Sequence, residues 1–384
     1  MFQANLLCHP WDFADGSADD TVAFAQGSLG VTGLTLYAGA GATLRLRAHK
    51  YAEPAMIRTR GGLYFVPETA RYAATRCKPL EAEGTVFRAR LDEAADACRA
   101  RGLELRWAIS TLRLGRMAAK YPWAAVRNIL DDVCPTRLCP SNPDVVEMLA
   151  GLVGDLVSRG APEAIVLYDF DCGQTGEATG AMYPSPDLGP DGDELLSLCA
   201  CESCRQAAAR DGLDVESALR SARVRITRWI EGATDELHGD ELLGRYAARQ
   251  ATALADALAA IRARCGGRLL LHRSGDEIEA PTELAGLSRH VDGVLVAYRP
   301  QAGGDVLRTI ESARSWCVSP TTVEIEFAVP SARTGGPQTL VADMAAVAGA
   351  GVTTVTLADL GRLAGPASDA VRQAIRYARR SIGI

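Results

Sequence analysis

Two short acidic segments carry side chains that could do chemistry. One is Tyr168-Asp169-Phe170-Asp171, which ends an apolar run. The other is Val323-Glu324-Ile325-Glu326-Phe327, which ends another. Along a strand alternate residues share a face, so Asp169 and Asp171 are expected to point one way. Glu324 and Glu326 form a second such pair. Two carboxylates meeting from distant parts of a chain can divide the labour of cleaving a glycosidic bond. One protonates the leaving oxygen; the other attacks, or activates water. Asp171 and Glu326, nearer the ends of their runs, are the first candidates for these roles. Asp169 and Glu324 stand behind them.

A second constellation is made of sulfur. Cys199-Ala-Cys201-Glu-Ser-Cys204 follows the first acidic segment, and Cys139 precedes it in Leu138-Cys139-Pro140-Ser141-Asn142-Pro143. Four thiolates close a tetrahedron around zinc and leave no open position for substrate. Such a site staples loops and does not catalyse. Cys134 and Cys172 are reserve ligands. Disulfides are the alternative. Eleven cysteines, an odd count, follow an N-terminus without a basic or long apolar leader, which points to a reducing, cytoplasmic setting.

Something must hold these groups in register. Eight strand-like runs alternate with helical patterns. They are Ala4–Cys8, Gly33–Tyr37, Leu103–Ile109, Ala164–Asp169, Arg268–His272, Gly293–Ala297, Thr322–Phe327 and Thr353–Leu357. Amphipathic stretches at Phe87–Arg101, Asp144–Arg159, Leu307–Trp316 and Gln338–Ala348 lie among them. Asn142 before Pro143 reads as an N-cap followed by proline at the first helical position. Eight such units predict a (β/α)8 TIM barrel, with a doubly wound open sheet as the alternative. The reading is one domain over residues 1–384 with a zinc-binding insertion at about 170–212. Long loops follow strands two, three and four, on the side where a barrel builds its pocket. Other strand ends supply candidate substrate contacts: His9, Trp11 and Asp12 from strand one, His272 and Arg273 from strand five, Tyr298 and Arg299 from strand six, Asp359 from strand eight.

Net charge is −6 with pI near 5.5, which argues against nucleic-acid binding. No apolar run reaches the ~18 residues of a membrane span. A small sugar or glycoside is the expected partner. Homo-oligomerisation is left open, and no organic cofactor is expected.

The order Cys-Pro-Ser-Asn-Pro, helix, acid-ended strand, Cys-x-Cys-x-x-Cys, helix resembles the glycoside hydrolase family 42 β-galactosidases and related glycosidase-like barrels. The resemblance spans roughly Arg137–Ala208, with further support near Glu326. It implies that Cys139, Cys199, Cys201 and Cys204 bind structural zinc and that Glu326 is the nucleophile. The family's acid/base glutamate, preceded by asparagine, falls on Phe170-Asp171. That replacement removes the asparagine contact to a sugar 2-hydroxyl and shortens the acid by a methylene. It suits a specialised glycosidase-like enzyme. It also suits a lyase, isomerase or transferase acting on a sugar-like metabolite, or a carbohydrate-binding barrel without catalysis.

Overall fold

Eight parallel strands close into a barrel in the computed structural model, which describes residues 2–46, 56–83, 85–171, 195–232, 241–274, 281–298, 305–329, 336–363 and 365–382. The barrel strands are β1 Gln3–Cys8, β2 Gly33–Ala40, β3 Glu104–Ser110, β4 Ala164–Tyr168, β5 Arg268–Ser274, β6 Gly293–Tyr298, β7 Thr322–Ala328 and β8 Thr354–Ala358. Each pairs with its sequence neighbours. β1 closes the ring through Asn5 opposite Thr356 of β8 and opposite Gly33 of β2. All eight runs expected from the sequence are strands, within a few residues at each end. They succeed as signals because parallel strands are covered on both faces and therefore read as continuous apolar runs.

Each strand is followed by a helix that lays its apolar stripe on the barrel. Pro143–Ser158 is capped by the Asn142 side chain, which accepts from the Asp144 amide, with proline at its first position. Gly33 is a packing requirement: a Cβ there would lie 2.2 Å from Asn5 Oδ1 and 2.8 Å from the Glu104 side chain.

The three long connections have structure of their own. After β2, Thr43–Leu46 and Met56–Thr59 form an antiparallel hairpin, and Gly62–Leu63 returns to pair with the end of β2. After β3 come a short helix, Gly115–Lys120, and the hairpin Ala125–Arg127 with Val133–Leu138. After β4 the helices Glu202–Arg210 and Val215–Ile230 build a small separate core. It contains Leu195, Leu198, Leu219, Ile226 and Tyr246, together with Ile129 of the preceding connection. Packing of this insertion thus runs on past residue 212. Among the described residues no helix is long and apolar enough to cross a membrane.

Candidate active site and cysteine cluster

Side chains inside the barrel are stacked in layers, and the two glutamates of β7 lie in different ones. Glu324 is deep. Arg106 of β3 donates to its Oε2 at 2.6 Å, and Arg268 of β5 donates to its Oε1 at 3.1 Å. Arg106, wholly buried, also donates to Glu104 at 3.1 Å. A buried charge persists only with partners, and Glu324 is one corner of a structural ion-pair network. Glu326, one layer nearer the C-terminal mouth, accepts a hydrogen bond of 2.5 Å from the Tyr168 hydroxyl. Its other oxygen lies 3.4 Å from His272 Nε2. The expectation that Glu324 and Glu326 share a face holds, but their surroundings differ.

Aromatic rings form a belt across the mouth. Trp11 stacks on His9 at 4.5 Å, His9 on Tyr37 at 4.9 Å, and Tyr168 on His272 at 4.1 Å. Tyr37 and Tyr168 meet at 5.2 Å. Burial pushes the Tyr37 phenol up, and the charges of Asp169 and Glu326 push it further. Burial and Glu326 do the same to Tyr168, with Asp169 adding to it. Asp169 from β4 and Glu326 from β7 therefore act on the same two rings. Trp11 is fully buried, its face on His9 and its edge against Tyr64, so it forms the wall of the belt.

The alternation expected for Asp169 and Asp171 does not hold. β4 stops at Tyr168, and Asp169 turns into the left-handed region with φ 56°, a conformation aspartate tolerates better than most residues. Backbone N–H groups of Thr111 and Leu112 hold this corner, donating to the carbonyls of Tyr168 and Asp169 at 3.0 and 3.3 Å. The Asp169 side chain, 32% exposed, accepts from the Ser110 hydroxyl and lies 3.9 Å from Arg113. Asp171 is more enclosed and is paired to buried Arg137, which also donates to its carbonyl at 3.0 Å. Burial raises the Asp171 carboxyl. The charge and hydrogen bond of Arg137 outweigh this, with Arg273 and Arg113 adding to them, and the net shift is downward.

The remaining candidates divide by location. His9 lies inside the belt; burial, aided by Arg45, lowers its imidazole to about 3, so it is neutral at ordinary pH. Asp12 is buried and accepts from the His9 backbone N–H at 2.8 Å, capping the short turn Pro10–Phe13. Asp359, after β8, is paired with Arg45 of the first hairpin and lies 3.6 Å from Arg362. A side chain at Gly361 would crowd both acids, since its Cβ would meet Asp12 at 2.9 Å and Asp359 at 3.2 Å. Arg273, the next residue on β5 after His272, is buried, and its charge acts on Asp171. Tyr298, expected at the mouth, lies instead on the helix side of the sheet. Its ring meets Phe327 edge-on at 5.8 Å and its hydroxyl pairs with Asp343 of the helix Gly336–Gly349. Arg299 and Cys172 lie outside the described residues.

Cys139, Cys199, Cys201 and Cys204 come together, all buried, with their sulfurs within 4.8 Å of one another. Cys139 Sγ lies 3.5 Å from those of Cys201 and Cys204 and 3.7 Å from that of Cys199. A zinc ion with Zn–S bonds of about 2.3 Å requires tetrahedral edges near ~3.8 Å, and these four fit. A covalent S–S bond of about 2.05 Å does not. Four buried sulfurs this close can all be thiolates only around a cation. Surrounding groups fix the cysteines. Gln250 bonds both the N–H and the carbonyl of Cys199, Tyr246 donates to that carbonyl at 2.7 Å, and the Arg127 amide lies 3.5 Å from Cys199 Sγ. The cluster joins the connection after β3 to that after β4. Cys134, held in reserve as a ligand in place of Cys139, packs beside the cluster but outside the set of four.

Sequence reasoning passed over Tyr37, Arg106 and Arg137 and gave Tyr168 no role. Arg106 had a signal: a lone charge between Leu105 and Trp107 in an apolar strand demands a buried partner. Tyr168 had one too, lying in phase with Ala164 and Val166 on one face of β4. Arg137 had none, because its pairing depends on how two connections fold over each other.

No protein-family model matches the sequence, and no curated protein does either. Solved structures do resemble the fold. The chain is similar to alpha-L-fucosidase isoenzyme 2 from Paenibacillus thiaminolyticus, with TM-score 0.57 and 12% identity, over 98% of this chain and 49% of that one. It is similar to the GH20 exo beta-N-acetylglucosaminidase from Vibrio harveyi, solved with N-acetylglucosamine, with TM-score 0.51 and 10% identity, over 97% of this chain and 54% of that one. The chain spans about half the length of these two proteins. At such identities the likeness is one of fold, that of TIM barrels found in glycoside hydrolases.

Proposed function

We propose that the protein is a glycosidase-like enzyme acting on a small glycoside or sugar conjugate at the C-terminal mouth of the barrel. The observation that carries this reading is that Glu326 of β7 accepts a hydrogen bond from Tyr168 of β4 at 2.5 Å, while the charges of Glu326 and of Asp169, at the end of β4, both act on the Tyr37–Tyr168 pair. In this reading Glu326 is the nucleophile or the base for water, as the family 42 resemblance implies. Asp169 donates its proton to the departing glycosidic oxygen as the anomeric C–O bond breaks, and then takes a proton from the incoming water. Asp171 is the weaker candidate for that role, because a general acid must carry a proton near neutral pH and Arg137 holds this carboxyl low. As a fixed carboxylate, Asp171 suits accepting a hydrogen bond from a sugar hydroxyl. His272, beside Glu326, lies next to the same sugar, and buried His9, stacked on Trp11 and Tyr37, backs the pocket. In the same proposal the four cysteines hold a structural zinc that fixes the connections around the acids.

Turnover of a panel of 4-nitrophenyl glycosides tests the assignment. Glu326→Gln and Asp169→Asn should each lose at least ~100-fold in kcat/KM, within the usual range for acid–base residues. Near-normal turnover by both variants on a substrate the parent hydrolyses would remove the reading.

A further inference from the structure

Tyr168 belongs to no catalytic pair described above, yet it touches Glu326, His272 and Tyr37. Its hydroxyl donates to Glu326 Oε2 at 2.5 Å. One face of its ring stacks on His272, whose Nε2 approaches the other oxygen of the same carboxylate at 3.4 Å. Tyr37 packs against the ring at 5.2 Å. Backbone and side chain of Thr111 both donate to the Tyr168 carbonyl, at 3.0 and 2.7 Å, so the residue is fixed from below as well as from the sides.

We propose that Tyr168 is a positioning residue that fixes the orientation of the Glu326 carboxylate and keeps it ionised. This rests on the glycosidase reading for its purpose, though not for its test. A carboxylate on β7 could swing about its own side-chain torsions. A short donor from β4, locked by stacking on His272 and by the tilted Tyr37 ring, removes that freedom before substrate arrives. A hydrogen bond given to the charged form also favours that form. Burial and the nearby acids keep the phenol protonated, so it remains a donor throughout the working pH range.

Other described titratable groups lie around Glu326. His272 approaches from β5; the charge of Glu326 also acts on Tyr37 of β2, as does that of Asp169 at the end of β4. On β7 itself, Glu324 lies a layer below with Arg106 and Arg268. The neighbours on β6 and β8, Ala297 and Thr356, do not titrate.

The test is a carboxyl-carbon NMR titration of protein labelled at glutamate. The Glu326 signal is the one missing in Glu326→Gln. In Tyr168→Phe, which keeps the ring and loses the donor, the Glu326 midpoint should rise by about one pH unit, the size expected for one hydrogen bond to a charged group. The acid limb of kcat/KM should rise with it. A midpoint unchanged from the parent overturns the proposal. If Tyr168→Phe does not fold, 3,5-difluorotyrosine at position 168 replaces it. That stronger donor should move the midpoint down, and an unmoved midpoint overturns the proposal equally. Full turnover by Glu326→Gln would sink the glycosidase reading and leave the titration result standing.

Discussion

Replacing Glu324 and Glu326 by glutamine, one at a time, should give opposite phenotypes from two positions on one strand. Glu324 is bonded by Arg106 at 2.6 Å and by Arg268 at 3.1 Å, with Arg106 wholly buried. Breaking one side of a buried ion pair costs about 3–5 kcal/mol, because the other charge stays behind. Glu104 still binds Arg106 at 3.1 Å, so the low end, about 3 kcal/mol, is expected. With an unfolding entropy near ~2.1 cal/mol/K per residue, a chain of 384 residues loses about 4 °C in Tm for that change. Glu326→Gln, by contrast, keeps an oxygen that can accept from Tyr168 and breaks no ion pair with a buried arginine, and it should shift Tm by no more than about 1 °C while abolishing turnover. Thermal melts by circular dichroism and glycoside kinetics, run on the same two preparations, read both quantities. The reasoning fails if Glu324→Gln melts like the parent and is inactive while Glu326→Gln turns over normally.

Three further outcomes follow from the geometry. Purified protein should carry about one zinc per chain by elemental analysis, and Cys199→Ser should lose the metal and melt earlier; a fully metal-free parent of unchanged stability would exclude the zinc reading. His9 is held at about 3 in the folded chain against 6.5 for a free imidazole. The unfolded chain therefore binds a proton that the folded one refuses, and stability falls as pH drops from about 6.5 towards 3, by up to ~1.4 kcal/mol per unit. His9→Gln should flatten denaturant-derived stability between pH 6 and 4 relative to the parent, and parallel curves would contradict the burial argument. Asp171→Asn should keep more turnover than Asp169→Asn; the reverse order would return the acid role to Asp171.

The barrel was legible because its evidence is local. Each apolar run, such as Ile165–Leu167 or Leu269–Leu271, is long enough for a strand and too short for a helix, and eight recur with helical patterns between. The cysteine cluster was legible for a similar reason: ligand spacing is written along the chain. What escaped depended on distant pairing or on a broken rule. Asp169 leaves the extended region, so counting by twos misplaced Asp171. Tyr298 ends its strand on the outer face, a half-period from where a mouth residue must be. Arg45 reaches Asp359 from a hairpin more than three hundred residues away in sequence, a contact no spacing can announce.

Arg137 stands two residues before Cys139, and it is the partner that keeps Asp171 charged. In the zinc reading, whatever displaces Cys139 from the metal, chelation or oxidation, would also disturb the guanidinium two peptide units away, and with it the charge on Asp171.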